Sequence, residues 1–335
     1  MDKIKVIFTG GTIGSLQSNN EINTNTKTQY LLLQNYGKNL ERFSTCSALN
    51  ILSENATFDD VLEMKKAIEN AQNEQDIKGI ILTHGTDSLA YTSAYLSFLL
   101  QNLHIPVVII ASNYTLDNKK ANGNINFSVA VDLIDDNKLQ PNVYVVFKNA
   151  KDDFVSVHLG SRLNAPAPYD DDFYSPHTFR FATYKNNKFY YENTNVKALS
   201  NNFNFAKKQN CKPMFIVPYT GLNYKNLLDV KPTFVLHEFY HSGTANTSKS
   251  EDNSFIEFAK ECDANNTPLY CCNVVNSSVC YASTNSLKKS NIQMLYNILS
   301  SVALAKLIVA YNLLDKKDIL AFLQTDIAGE FLLEG

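Results

Sequence analysis

Three short segments carry the residues best suited to chemistry: Thr9-Gly10-Gly11-Thr12-Ile13-Gly14, Ser53-Glu54-Asn55 and His84-Gly85-Thr86-Asp87-Ser88. Together they offer the hydroxyls of Thr12, Thr86 and Ser53, the carboxylates of Glu54 and Asp87, and glycine-rich backbone. A hydroxyl can attack a carbonyl when a base takes its proton and N–H groups receive the oxyanion. Gly10 and Gly11 let a substrate approach the main chain. Asp87 has two readings. A carboxylate at a helix start caps the helix and is favoured by its dipole; the same group at a sheet edge receives a substrate ammonium.

Other chemistries fit less well. A phosphate loop needs a lysine directly before Ser or Thr in a longer glycine loop, and a dinucleotide fingerprint needs G-x-G-x-x-G. Gly10-Gly11-Thr12-Ile13-Gly14 has neither spacing. His237-Glu238-Phe239-Tyr240-His241 spells H-E-x-x-H, which binds zinc only on a helix where both histidines share a face. Its flanks, Thr233–Leu236 and Ser242-Gly243-Thr244, read as a strand running into a turn. The six cysteines contain no CxxC pair and read as buried free thiols. No metal or cofactor is expected.

The elements that must position these residues alternate. Ile4–Thr9, Ala48–Ser53, Gly79–Thr83, Pro106–Ala111 and Val143–Phe147 read as strands. Between them Thr57–Asn73, with Thr57 as N-cap, and Ser88–Leu103 read as helices, and a further helix begins at Phe127–Leu133. Continuous apolar strands alternating with helices mean a parallel sheet covered on both faces. Ligands of such sheets bind beyond the carboxyl ends of the strands, where all three segments lie. After Asn149 the pattern shifts to hairpin-like pieces at Phe154–His158, Phe179–Tyr184 and Lys188–Tyr191. Strands at Met214–Pro218, Thr233–Leu236 and Pro268–Asn273 follow, with helices at Ser254–Asp263 and Ile292–Tyr311. The expected class is α/β: a larger N-terminal parallel-sheet domain over residues 1–192, a linker over 193–211 rich in Asn and Lys, and a smaller α/β domain over 212–335.

A chain of 335 residues with net charge −3 and no block of like charge presents no nucleic-acid or anionic-membrane surface. No apolar run approaches the ~18 residues of a membrane span, and MDKIKVIFTGG does not read as a signal peptide. The expected location is the cytoplasm.

These motifs resemble the bacterial-type L-asparaginase family, closer to its cytoplasmic type I form. TGGTIGS around Thr12 resembles the first threonine motif, and LTHGTDSLAYTSAYLSFLL, from Leu82 to Leu100, resembles the second. Ser53-Glu54-Asn55 resembles the substrate-binding loop, and Lys27-Thr28-Gln29-Tyr30 the mobile segment that carries an active-site tyrosine. Asn122–Phe127 and Ser301–Leu307 resemble two further family stretches. The resemblance implies a flavodoxin-like or Rossmann-like first domain and hydrolysis of asparagine through an acyl-enzyme. It implies Thr12 as nucleophile, Tyr30 as its hydrogen-bonding partner on a flap, and Thr86 and Asp87 as further catalytic residues. Gly11, Ser53, Glu54, Thr86 and Asp87 bind the amino-acid substrate in this reading. It also implies a homodimer or homotetramer.

The family places a lysine beside its second threonine and aspartate, on the hairpin after the VYVVF-like strand. Here that hairpin reads FKNAKDDFVSVHLGSRLNAPAPYDDDFYSP. His158, Arg162, Lys148 and Lys151 are the alternatives for that place. A neutral histidine can move a proton near pH 7, whereas an arginine only stabilises charge; His158 is otherwise an ordinary strand residue. Action on glutamine or another amide, or binding of an amino acid with little turnover, are therefore the alternatives to asparagine hydrolysis.

Overall fold

The computed structural model describes residues 2–18, 21–24, 30–176, 179–199, 202–248, 252–276, 281–287 and 292–332. They form two compact units, Met1–Asn202 with Ile327–Gly329, and Phe203–Asp326 with Glu330–Gly335.

The first unit contains β1 (Lys3–Gly10), the two-stranded ribbon β2 (Ser15–Ser18) and β3 (Glu21–Thr24), α1 (Leu31–Tyr36), β4 (Phe43–Ile51), α2 (Phe58–Gln72) and β5 (Ile77–Thr83). Then come α3 (Leu89–Leu99), β6 (Val107–Ile110), α4 (Gly123–Asp135), β7 (Val143–Phe147), β8 (Val155–Leu159), β9 (Ala182–Lys185) and β10 (Lys188–Tyr191). Eight strands form one sheet in the order β10-β9-β8-β7-β6-β5-β1-β4. Strands β4, β1, β5, β6 and β7 run parallel, and β8, β9 and β10 continue antiparallel. The parallel strands β6 and β7 are buried at every position, as sheets covered on both faces require. A capping box starts α2: Asp60 N–H donates to Thr57 Oγ1, and Thr57 N–H donates to the Asp60 carboxylate, a device worth about 1 kcal/mol. Asn186 and Asn187, both at positive φ, make the two-residue turn between β9 and β10.

The second unit contains β11 (Pro213–Ile216), β12 (Phe234–Glu238), α5 (Phe255–Ala264), β13 (Leu269–Val274), α6 (Ala282–Leu287), β14 (Gln293–Tyr296), α7 (Ser300–Leu313) and α8 (Lys316–Gln324). Its sheet is parallel in the order β11-β12-β13-β14. Its core joins Val235, Phe239, Phe255, Phe258, Leu269 and Cys271. No helix among the described residues is long and apolar enough to cross a membrane.

Two expected elements differ. The strand expected at Ala48–Ser53 is β4, which starts five residues earlier and pairs Phe43 with Ile4; Ser53–Asn55 is a single 3-10 turn. As the sheet's edge strand, β4 is largely half-buried, and its Ser and Thr residues hide the strand pattern. The helix expected over Ile292–Tyr311 divides into β14 and α7, with Asn297 at φ 54° between them.

Candidate active site

Glycine geometry brings the ends of β1, β4 and β5 together. Gly10 (φ 101°) and Gly11 (φ 74°) occupy backbone space that L side chains rarely adopt. A β-carbon on Gly10 would stand 2.3 Å from the Ile51 carbonyl oxygen, and one on Gly11 would stand 2.5 Å from the Gly85 nitrogen. A β-carbon on Gly85 would stand 2.3 Å from Ser53 Oγ. The three chemistry-bearing segments therefore meet in direct contact at one edge of the sheet. Below them, Thr9 Oγ1 donates to the Thr83 carbonyl at 2.6 Å, tying β1 to β5.

Thr12, half-buried, opens the 3-10 turn Thr12–Gly14, which is anchored by the buried side chain of Ile13. Gly11 N–H donates to the Ile51 carbonyl at 2.8 Å. Its amide thus serves the β1–β4 junction.

Asp87 lies just before the N-cap of α3. The residue at the N-cap of α3 is Ser88, which makes no side-chain cap bond. The exposed Asp87 carboxylate instead accepts from the hydroxyl of buried Ser53 at 3.2 Å, and Asp87 N–H donates to the same oxygen at 3.2 Å. Ser88 Oγ donates to the Ser53 carbonyl at 2.7 Å. Thr86 is half-buried, and Glu54 is exposed on the turn after Ser53. Tyr30 is 52% exposed, and its ring lies 6.1 Å from that of Phe8 on β1. Lys27, Thr28 and Gln29 lie outside the described residues.

The four alternatives for the lysine place engage partners outside the three chemistry-bearing segments. Lys148 Nζ donates to the Asn149 carbonyl at 2.8 Å and to the Asp152 carbonyl. Lys151 pairs with Asp170 at 3.1 Å. Arg162 donates to the Gly329 carbonyl and lies over the Phe179 ring. His158 is buried on β8 opposite Val145, with Nδ1 2.9 Å from Ser175 Oγ and Nε2 without a hydrogen-bond partner. Burial, and then the Arg180 charge, push its pKa down to about 3, so at neutral pH it is an uncharged, buried ring. The Asn122–Phe127 stretch serves the framework. Asn122 and Asn126 bond to the Lys148 carbonyl and N–H, fastening the start of α4 to the end of β7.

His237 sits on β12 with Nε2 3.0 Å from the Tyr224 hydroxyl, while His241 is exposed in the turn that follows. The H-E-x-x-H sequence therefore runs from the end of a strand into a turn. Among the described residues no group of three or more His, Cys, Asp or Glu side chains is placed to hold a metal.

Sequence reasoning gave His84 no role. It is buried between β5 and Gly85, its Nδ1 is 2.7 Å from the Gly85 carbonyl oxygen, and burial lowers its pKa below the usual histidine range. A histidine between a buried strand and a glycine turn was the available signal.

A family model described as asparaginase, N-terminal, matches residues 3–197. The L-asparaginase of Thermococcus kodakarensis is 31% identical over 165 residues, covering 48% of this chain and 47% of that protein. A subunit of the glutamyl-tRNA(Gln) amidotransferase of Thermoplasma acidophilum is 30% identical over 131 residues, covering 38% of this chain and 32% of that protein. The matches thus span about half, or less, of the length of these relatives. Among solved structures, the thermostable L-asparaginase from Thermococcus kodakarensis superposes with a TM-score of 0.78 at 23% identity, over 99% of this chain and 100% of that one. L-asparaginase I from Vibrio cholerae gives 0.77 at 21% identity, over 99% of each chain.

Proposed function

The chain belongs to the asparaginase family, and from that premise we propose that it hydrolyses the side-chain amide of L-asparagine to L-aspartate and ammonia. The observation that carries this reading is the close approach of Gly11 to the His84-Gly85 backbone, and of Gly85 to Ser53. The approach supports a site in which Thr12 as nucleophile, backbone N–H groups and the Asp87 carboxylate serve one substrate.

Thr12 Oγ1 attacks the amide carbon, and the Thr12 and Thr86 N–H groups receive the oxyanion. The C–N bond breaks, the nitrogen takes the proton given up by the Thr12 hydroxyl, and ammonia leaves an ester on Thr12. Water cleaves that ester, releasing aspartate and restoring the hydroxyl. Asp87, held by Ser53, takes the α-ammonium, and Ser53 and Glu54 fix the amino-acid end. Tyr30 closes over Thr12 and hydrogen-bonds its hydroxyl. In this reading the protein needs no metal or cofactor and works in the cytoplasm as a homodimer or homotetramer.

Ammonia release from L-asparagine by wild type and Thr12→Ala is the test. Loss of the nucleophile is expected to lower kcat at least about 1000-fold. Equal, slow release by both proteins overturns the assignment for asparagine. The second reading, favoured by the engagement of all four lysine-place alternatives elsewhere, is action on glutamine or another amide, or amino-acid binding with little turnover. Faster release from glutamine supports the former. A rise in Tm with asparagine in the absence of turnover supports the latter.

A further inference from the structure

We infer that His84 is a positioning residue: its Nδ1–H, donated to the Gly85 carbonyl, holds the Gly85–Thr86 peptide so that the Thr86 N–H faces the reacting carbonyl oxygen. The inference rests on the proposed role of the Thr86 amide.

Gly85 must be glycine, because a β-carbon there would collide with Ser53 Oγ at 2.3 Å. Yet glycine is the residue least able to resist rotation of its own peptide. The position that brings three segments together is therefore the one whose backbone needs an external hold. His84 supplies it. The imidazole is buried, and its Nδ1 lies 2.7 Å from the Gly85 oxygen. A carbonyl oxygen only accepts, so Nδ1 carries the proton. Burial keeps the ring uncharged, which makes Nε2 the bare nitrogen.

The consequence for Thr86 follows from peptide geometry. In a planar trans peptide the C=O and the next N–H point in opposite directions. The Gly85 carbonyl turns inward to the buried imidazole. The Thr86 N–H therefore turns outward, to the side where Thr86 is half-buried and Asp87 exposed. Release of the carbonyl frees this peptide to rotate and withdraws an oxyanion donor that otherwise needs no reorganisation during the reaction.

The test compares His84→Asn, whose amide NH2 stands where Nδ1–H stood, with His84→Leu and with His84→Gln, whose amide lies near the ε position. The Leu and Gln variants are expected to lose about 100-fold in kcat, the scale of one misdirected oxyanion donor, with KM within about threefold of wild type. The Asn variant recovers kcat to within about fivefold, although all three melt lower than wild type. A merely structural histidine predicts that activity follows Tm in all three; equal loss in Asn and Leu overturns the inference. Crystal structures of the Asn and Leu variants supply a readout without turnover. The Gly85 carbonyl keeps its inward direction in the Asn variant and departs from it in the Leu variant; the same direction in both overturns the inference. If wild type hydrolyses neither asparagine nor glutamine, the proposed function fails and the crystal structures alone judge His84.

Discussion

Ser53 and Asp87 hold each other twice: the Asp87 N–H donates to Ser53 Oγ, and the Ser53 hydroxyl donates to the Asp87 carboxylate, each at 3.2 Å. The residues are 34 positions apart, on turns after different strands. The missing side chain of Gly85 leaves the space in which the serine sits. Through this pair the β4 turn sets where the carboxylate of the β5 turn points.

Ser53→Ala removes both bonds and leaves the exposed carboxylate free to reorient. A hydrogen bond to a charged group outweighs a neutral one. KM for L-asparagine is expected to rise about tenfold, while kcat at saturation changes less than about threefold. Steady-state ammonia release over a range of substrate concentrations reads both constants. An unchanged KM would show that Asp87 is oriented by something other than Ser53.

The buried histidine on β8 makes stability depend on pH. His158 has a folded pKa pushed down to about 3, whereas a histidine in an unfolded chain titrates near 6.5. Above about pH 6.5 both states hold the ring neutral. As pH falls below that value the unfolded chain gains a proton that the folded chain refuses, so stability is lost toward pH 3. His158→Asn keeps a donor for Ser175 and removes the titration. Between pH 7 and pH 5 its unfolding free energy is expected to fall by roughly 2 kcal/mol less than that of wild type. Urea titrations at the two pH values measure the difference. Parallel losses in both proteins would mean that the folded ring takes up its proton over the same pH range as the unfolded chain.

What was legible in the sequence followed burial. Strands β1, β5, β6 and β7 are apolar runs because neighbours cover both their faces, and the runs mark them without ambiguity. Strand β4 was shifted because, at the sheet edge, Ser44, Thr45 and Ser47 interrupt its apolar pattern while its backbone still pairs with β1. Strand β14 merged with α7 because Met294, Leu295 and Tyr296 join a longer apolar stretch, and no Gly or Pro marks the turn that Asn297 makes at positive φ. At the candidate site, Gly10, Gly11 and Gly85 were legible as turn residues. The pairing of Ser53 with Asp87 was not, since it depends on a contact between distant segments. The same distance hid the neighbours of His158: its partner Ser175 lies 17 positions on, in the segment between β8 and β9.

The lysine in SVALAKL offers the clearest case of a long-range dependence. Lys306 lies on α7 among apolar residues and is buried, as is Glu330. Its ammonium donates to Glu330 and to the carbonyls of Leu323 and Thr325 at 3.1 and 2.7 Å, and lies over the Phe322 and Phe331 rings. One charged side chain therefore gathers the end of α8 and the segment after it. Lys306→Met preserves length and apolar volume but strands the Glu330 carboxylate in the interior. Breaking a buried pair in this way is expected to destabilise the second unit by about 3–5 kcal/mol. Lys306→Met with Glu330→Gln removes the stranded charge and recovers part of that loss, because an uncharged amide is far easier to bury. Urea unfolding of the single and double variants separates the two effects. A single variant as stable as wild type would show that the pair contributes nothing beyond packing, and a double variant no better than the single would place the loss in the carbonyl bonds instead.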